Sequence, residues 1–167
     1  MAGVMFQEGE RMQINSVTYE CWHEMGHAFV CIALDGGVRC VERRDDHKLG
    51  RARARCITNQ YIRQRVACGG FAAEFVLLRD GDIGPQNEKE ITQVIFRNAT
   101  IDREMYHSLV SGTDLSEAQD REFMNCAINS VASIIFTHKT EMAKAVKELE
   151  RDGCVSGERI KQIMSGT

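Results

Sequence analysis

His23, Glu24 and His27 stand in the order His-Glu-x-x-His, within Tyr19-Glu20-Cys21-Trp22-His23-Glu24-Met25-Gly26-His27-Ala28-Phe29-Val30. On a helix, positions i and i+4 share one face, so the two imidazoles can hold one metal ion together. Zinc suits two neutral imidazoles, a third protein ligand and one water. Glu24 follows the first histidine, where its carboxylate can reach that water, take its proton and pass it to a leaving amine. This is the spacing of a zinc peptidase. The competing reading is two histidines packed in a buried helix. It leaves ionisable groups without partners, which burial penalises.

The elements that must position these residues can be read in order. Val17, Cys21, Trp22, Met25, Ala28, Phe29, Val30 and Cys31 make the segment apolar on all sides, as expected of a central, buried helix. Asn15 or Ser16 caps it, and it runs to about Leu34 before Asp35-Gly36-Gly37 ends it. Val38 to Arg43 and Gly50 to Cys56 read as a half-exposed β-hairpin with its turn around Asp45-Asp46-His47. Arg51, Arg53 and Arg55 share one face of the second strand. That face is either solvated or meets an acidic or extended substrate.

A second helix is expected from Thr58 or Asn59 to about Arg79. It contains Gly69 and Gly70, each of which costs about 1 kcal/mol in a helix against alanine. Close approach to the His-Glu-x-x-His helix would offset that. After a loop with Pro85, helical spacing runs from Ile91 to Leu109, and Ser111-Gly112-Thr113-Asp114 breaks it. Asp114 or Ser116 caps a long helix that bends near Thr137-His138-Lys139 and ends at Asp152-Gly153. A last short helix follows Ser156. The expected fold is mainly α with a small β-hairpin: a flexible lead-in over residues 1–15, then one domain over 16–167.

The chain has 167 residues and a net charge of −3, which is the size of one domain and carries no basic footprint for nucleic acid. No apolar run approaches the ~20 residues of a membrane span. The first residues lack a basic start followed by an apolar core, so no secretory signal is expected and the location expected is cytoplasmic. Seven cysteines, with no Cys-x-x-Cys pair, read as reduced thiols.

Beyond spacing, the chain resembles the peptidase domain of the FtsH family of zinc metalloproteases, over about Val17 to Met164. The family's His-Glu-Ala-Gly-His matches His23-Glu24-Met25-Gly26-His27, with Met for Ala. Its Gly-Gly-Arg-x-Ala-Glu matches Gly69-Gly70-Phe71-Ala72-Ala73-Glu74, with Phe for Arg. Its ending resembles Leu149-Glu150-Arg151, Ser156-Gly157-Glu158 and Ile160. The resemblance implies a zincin-like fold, one Zn²⁺ and a metalloendopeptidase that cuts unfolded or extended protein segments. It also implies a third ligand opening the helix after the Gly-Gly segment. Counted from Glu74 without gaps, that residue is Glu90, ahead of the apolar Ile91; Glu88, Asp82 and Asp102 compete. His47, His107 and His138 have no partner at ligand spacing and are expected not to bind the ion.

The family joins this domain to an ATPase. This sequence has no Gly-x-x-x-x-Gly-Lys phosphate loop, so cleavage is expected to be ATP-independent or powered by a separate partner chain. The resemblance to a ring-forming family leaves a homo-oligomer open. Two alternatives differ in class. An ImmA/IrrE-type regulatory metallopeptidase shares His-Glu-x-Gly-His, but Arg65 stands where its third-ligand Glu would be. A non-catalytic, zinc-stabilised protein-interaction module would have no use for Glu24.

Overall fold

The computed structural model describes residues 11–44, 50–84 and 87–166. Its organising element is helix α1, Val17–Ala33. The Ser16 hydroxyl accepts the Tyr19 N–H and caps it. Cys21, Met25, Ala28, Phe29, Val30 and Cys31 are fully buried, so α1 runs through the core rather than over it.

Strands β1, Gly37–Arg43, and β2, Ala52–Ile57, follow α1 and pair antiparallel, as the period-two pattern predicts. The turn expected at Asp45-Asp46-His47 lies outside the described residues. The sheet has a third strand that the sequence pattern did not reveal. Cys154–Ser156, β3, pairs antiparallel with β1 through Val41↔Val155, giving the order β2-β1-β3. Three residues are too few to show a period. β1 is therefore central, and β2 is an outer strand beside α1.

The expected helix over residues 58–79 is two helices, α2 (Arg63–Ala67) and α3 (Gly69–Arg79). They part at Cys68, whose N–H is shared between the Gln64 and Arg65 carbonyls. The break lets α3 lie against α1. A Cβ on Gly69 would come within 2.7 Å of the Gly26 carbonyl oxygen, and one on Gly70 would collide with the His23 ring. The two glycines thus give the close approach to the His-Glu-x-x-His helix that would justify their cost.

The helical spacing from Ile91 to Leu109 also divides, into α4 (Glu88–Asn98) and α5 (Thr100–Tyr106), at the buried Ala99. Ser116 caps α6 (Glu117–Cys126) in a reciprocal capping box with Gln119. A π-helical turn, Ala127–Val131, leads into α7 (Ala132–Thr137), and the expected bend falls at His138 before α8 (Lys139–Asp152). Gly153 ends α8 with φ of 78°, and α9 (Gly157–Ser165) buries Ile160 and Ile163. The fold is mainly helical with a small three-stranded antiparallel sheet. No described helix is long and apolar enough to cross a membrane.

Of the expected lead-in, residues 11–15 are described. Met12 is buried and bridges Ile83, with its N–H on the Asp82 carbonyl and its carbonyl accepting the Gly84 N–H. That segment is held to the loop after α3.

Candidate metal centre

Three electron-pair donors converge between α1 and α5. His23 Nε2 and His27 Nε2 are 3.3 Å apart, and Asp102 Oδ2 lies 2.9 Å from the first and 3.2 Å from the second. Ligands placed tetrahedrally at about 2.0–2.1 Å from one zinc ion stand roughly 3.3 Å from each other. The triangle matches one face of such a tetrahedron. Glu24 stands at its side, with Oε2 3.8 Å from His27 Nε2. His23, Glu24 and His27 together form a group able to hold a metal ion.

The far nitrogens of both rings are held in place. His27 Nδ1 is 2.7 Å from the Val66 carbonyl, which can only accept, so that nitrogen carries the proton. When the ring is neutral, as metal binding requires, the bare nitrogen is Nε2. His23 Nδ1 donates to Glu74 Oε2 at 3.1 Å. Glu74 is fully buried, and its other oxygen accepts from Asn98 at 3.1 Å. Such outer partners fix tautomer and ring orientation at metal-binding histidines. With the ring of His23 lying on Gly70, position and tilt are both set.

The electrostatics ask for positive charge at the centre. Burial works against protonated His23, yet the Glu74 and Asp102 carboxylates overcome it and raise its pKa well above normal. Burial likewise opposes charge on His27, and Asp102 and Glu24 raise it to about 9. Burial would raise the Asp102 carboxyl, but the two histidines pull it far below the usual range. Protons can supply the balancing charge, and a divalent cation does the same with better geometry. The residues fit such an ion. Burial raises the Glu24 carboxyl, the histidines partly offset this, and the backbone amide of Ala54 on β2 lies beside it.

Asp102 is where it is because α5 is tied on both sides. Arg63 Nη1 and Gln64 Nε2 on α2 donate to the Met105 and Tyr106 carbonyls. Arg103 pairs with Asp120 at 2.7 Å and lies over the Phe96 ring. Among the expected ligands, Glu90 is not brought to the histidines. It is exposed in the first turn of α4, where the Asn87 side chain caps its N–H. The stripe of Ile91 and Ile95 faces the core and turns Glu88 and Glu90 to solvent. Asp82 is also elsewhere, paired with the buried Lys139. The gap-free position after Glu74 falls on α4, whereas Asp102, the carboxylate beside the two histidines, lies one helix further on, in α5. Asp102 lacks the apolar follower expected of the ligand, because Arg103 comes next. Nothing local in the sequence separates Asp102 from Asp82 and Glu88, since its burial exists only once α5 has packed.

The other histidines lie apart. His107 Nε2 meets the Gln119 carbonyl, and His138 packs near Phe29. His47 is outside the described residues.

A cleft of about 1180 Å³ opens over the three donors. Its walls are α1, the outer edge of β2, and α5 with Ile101 and Met105. No protein-family model matches the chain, and a comparison with curated proteins finds no match.

Proposed function

We propose that the chain is a zinc metalloendopeptidase with an FtsH-type, zincin-like peptidase domain, acting in the cytoplasm on unfolded or extended protein segments. The observation that carries this reading is the convergence of His23 Nε2, His27 Nε2 and Asp102 Oδ2 beneath an open cleft, with Glu24 alongside. His23, His27 and Asp102 would hold the ion. Zinc bound there supplies Lewis acidity, which polarises a peptide carbonyl and acidifies water. Glu24 takes the proton of the attacking water and returns it to the amine nitrogen as the C–N bond breaks. Burial raises the Glu24 carboxyl, the direction that suits a group that must both accept and give a proton. The outer edge of β2 offers backbone N–H and C=O groups to an extended substrate. Cleavage then proceeds without ATP, or with unfolding supplied by a separate chain.

Metal content and cleavage of an unfolded, casein-like protein, compared between wild type and Glu24→Gln, test the proposal. The variant should keep one zinc per chain and its fold, and lose ~10²-fold or more in rate. Equal rates would remove Glu24 from the chemistry. A closed four-ligand zinc site without activity would point to the interaction-module alternative.

A further inference from the structure

We propose that the cleft selects extended peptide segments rich in Asp and Glu, and that Arg39 and Arg53 read those side chains. The inference rests on the site being a peptidase. It comes from where the cations are. The chain carries a net charge of −3, yet Arg39, Arg44, Arg51, Arg53, Arg55 and Arg63 all line this one cleft.

Most of these arginines are already answered by the protein. Arg51 pairs with Glu20 at 2.6 Å, Arg55 with Glu42 at 2.9 Å, and Arg63 donates to the Met105 carbonyl. Glu42 is the acid opposite Arg53 in the β1–β2 register, but Arg55 holds it and Arg44 lies 3.8 Å away. The acids on the cleft floor, Glu24, Glu74 and Asp102, are directed at the histidines. Arg39 and Arg53 are exposed and have no ion-pair partner among the described residues. A concave wall lined by one sign of charge attracts the opposite sign and raises its local concentration.

The fit is to a peptide rather than to a nucleic acid. Among the described lining residues, Tyr19 is the one aromatic apart from the two site histidines, and it is buried, so these walls give no stacking platform for bases. Strand β2 gives backbone pairing along its outer edge, with Arg53 beside the Ala54 amide that faces Glu24. A peptide lying there would place its own side chains against the arginines while its backbone passes the metal centre.

The test uses three fluorescein-labelled peptides, identical except that every acidic position is Glu, Gln or Lys, together with a single-stranded oligonucleotide. Binding is read by anisotropy on the zinc-loaded Glu24→Gln protein, and cleavage on the wild type. The Glu peptide should bind about 10-fold more tightly than the Gln peptide, and the Lys peptide more weakly still. That preference should fall as salt rises and collapse in Arg39→Gln/Arg53→Gln. It should persist in Arg121→Gln, whose side chain lies outside the cleft. Arg39 and Arg53 are exposed and have no ion-pair partner among the described residues, so their replacement should leave the fold intact, and the salt series on wild type checks the same point without a variant. Equal affinity for Glu and Gln peptides, or tighter binding of the oligonucleotide, overturns the proposal. Cleavage of all three peptides at one rate overturns it while leaving the peptidase reading standing. Arginine-dependent binding of the Glu peptide with no cleavage supports it and overturns the peptidase reading instead.

Discussion

Two clusters of charged side chains among the described residues reach into the interior, and they are built differently. In one, Lys139 is 1% exposed and reaches Asp80 at 2.8 Å and Asp82 more closely still. Cation and anions answer each other there, and the group ties the start of α8 to the loop after α3. In the other, His23, His27 and Asp102 turn lone pairs toward a shared point, with Glu74 and Val66 holding the rings from behind. The first cluster is closed on itself. The second is satisfied only by something positive placed between its members, and it opens on a cleft. Burial of charge alone therefore does not mark a site. Convergence of metal-ligating atoms on a wall that a substrate can reach is what separates the second cluster from the first.

The comparison breaks first if the second cluster holds no metal. Asp102→Ala should cost more zinc affinity than the ~10–100-fold typical of an orienting partner. Glu90→Ala should leave affinity unchanged, because Glu90 is solvated on α4. Titration of the apo protein with zinc decides both. Unchanged affinity in Asp102→Ala would sink the assignment of the third ligand.

Next in size is Lys139→Ala. Removing one member of a buried ion pair costs about 3–5 kcal/mol, since the acid left behind has lost its partner. Zinc stoichiometry should not change. The deficit should shrink as pH falls. Burial already raises the Asp82 carboxyl above its ordinary value, and Lys139 opposes that rise. Without Lys139 the folded pKa climbs further above the unfolded one, so folding takes up a proton. Stability in the variant is then gained as pH drops from the raised value toward the ordinary carboxylate range. Denaturant melts of both proteins across that window test the sign, and a deficit that grows on acidification would contradict it.

The two clusters were not equally legible in the sequence. His23, Glu24 and His27 sit at a spacing fixed by the helix itself, so local geometry gave both the face and the chemistry. Gly69 and Gly70 were legible as a close approach, because glycine inside a helix asks for a reason. The helix caps at Ser16 and Ser116 followed from local hydrogen bonding. Asp102 stands in the sequence only as one of three competitors to Glu90, because its place depends on a break at Ala99 and on the tethers from Arg63 and Gln64, which are contacts between distant parts of the chain. Strand β3 and the Lys139 cluster were missed for the same reason. Neither leaves a periodic trace, and both exist only once α8 has packed.

A smaller change sharpens the contrast between ligand and support. Glu74→Gln keeps the shape and the bond to Asn98 but removes the charge behind His23. It should lower zinc affinity by about 10–100-fold without abolishing it. A loss as large as that of Asp102→Ala would mean that Glu74 acts on the ion directly.

The smallest effect belongs to an ion pair with neither kind of burial. Arg159, about a third exposed, holds the Glu148 carboxylate through Nε at 2.8 Å and Nη2 at 3.0 Å, and joins α9 to α8. The hydrogen bonds from Arg159 lower the Glu148 carboxyl, with some opposition from burial. A lowered folded pKa contributes stability above the ordinary Glu value, and that contribution is lost as pH falls through the lowered one. The sign is opposite to that expected at Asp82 in Lys139→Ala. Solvent screens the pair, so Arg159→Gln should shift the midpoint of unfolding only slightly at neutral pH. That slight difference should vanish on acidification, once Glu148 is protonated in both proteins. If the melts of Arg159→Gln and wild type instead diverge as pH falls, the pair is not what sets their difference, and the contrast between paired, screened charge and buried, committed charge loses its reference point.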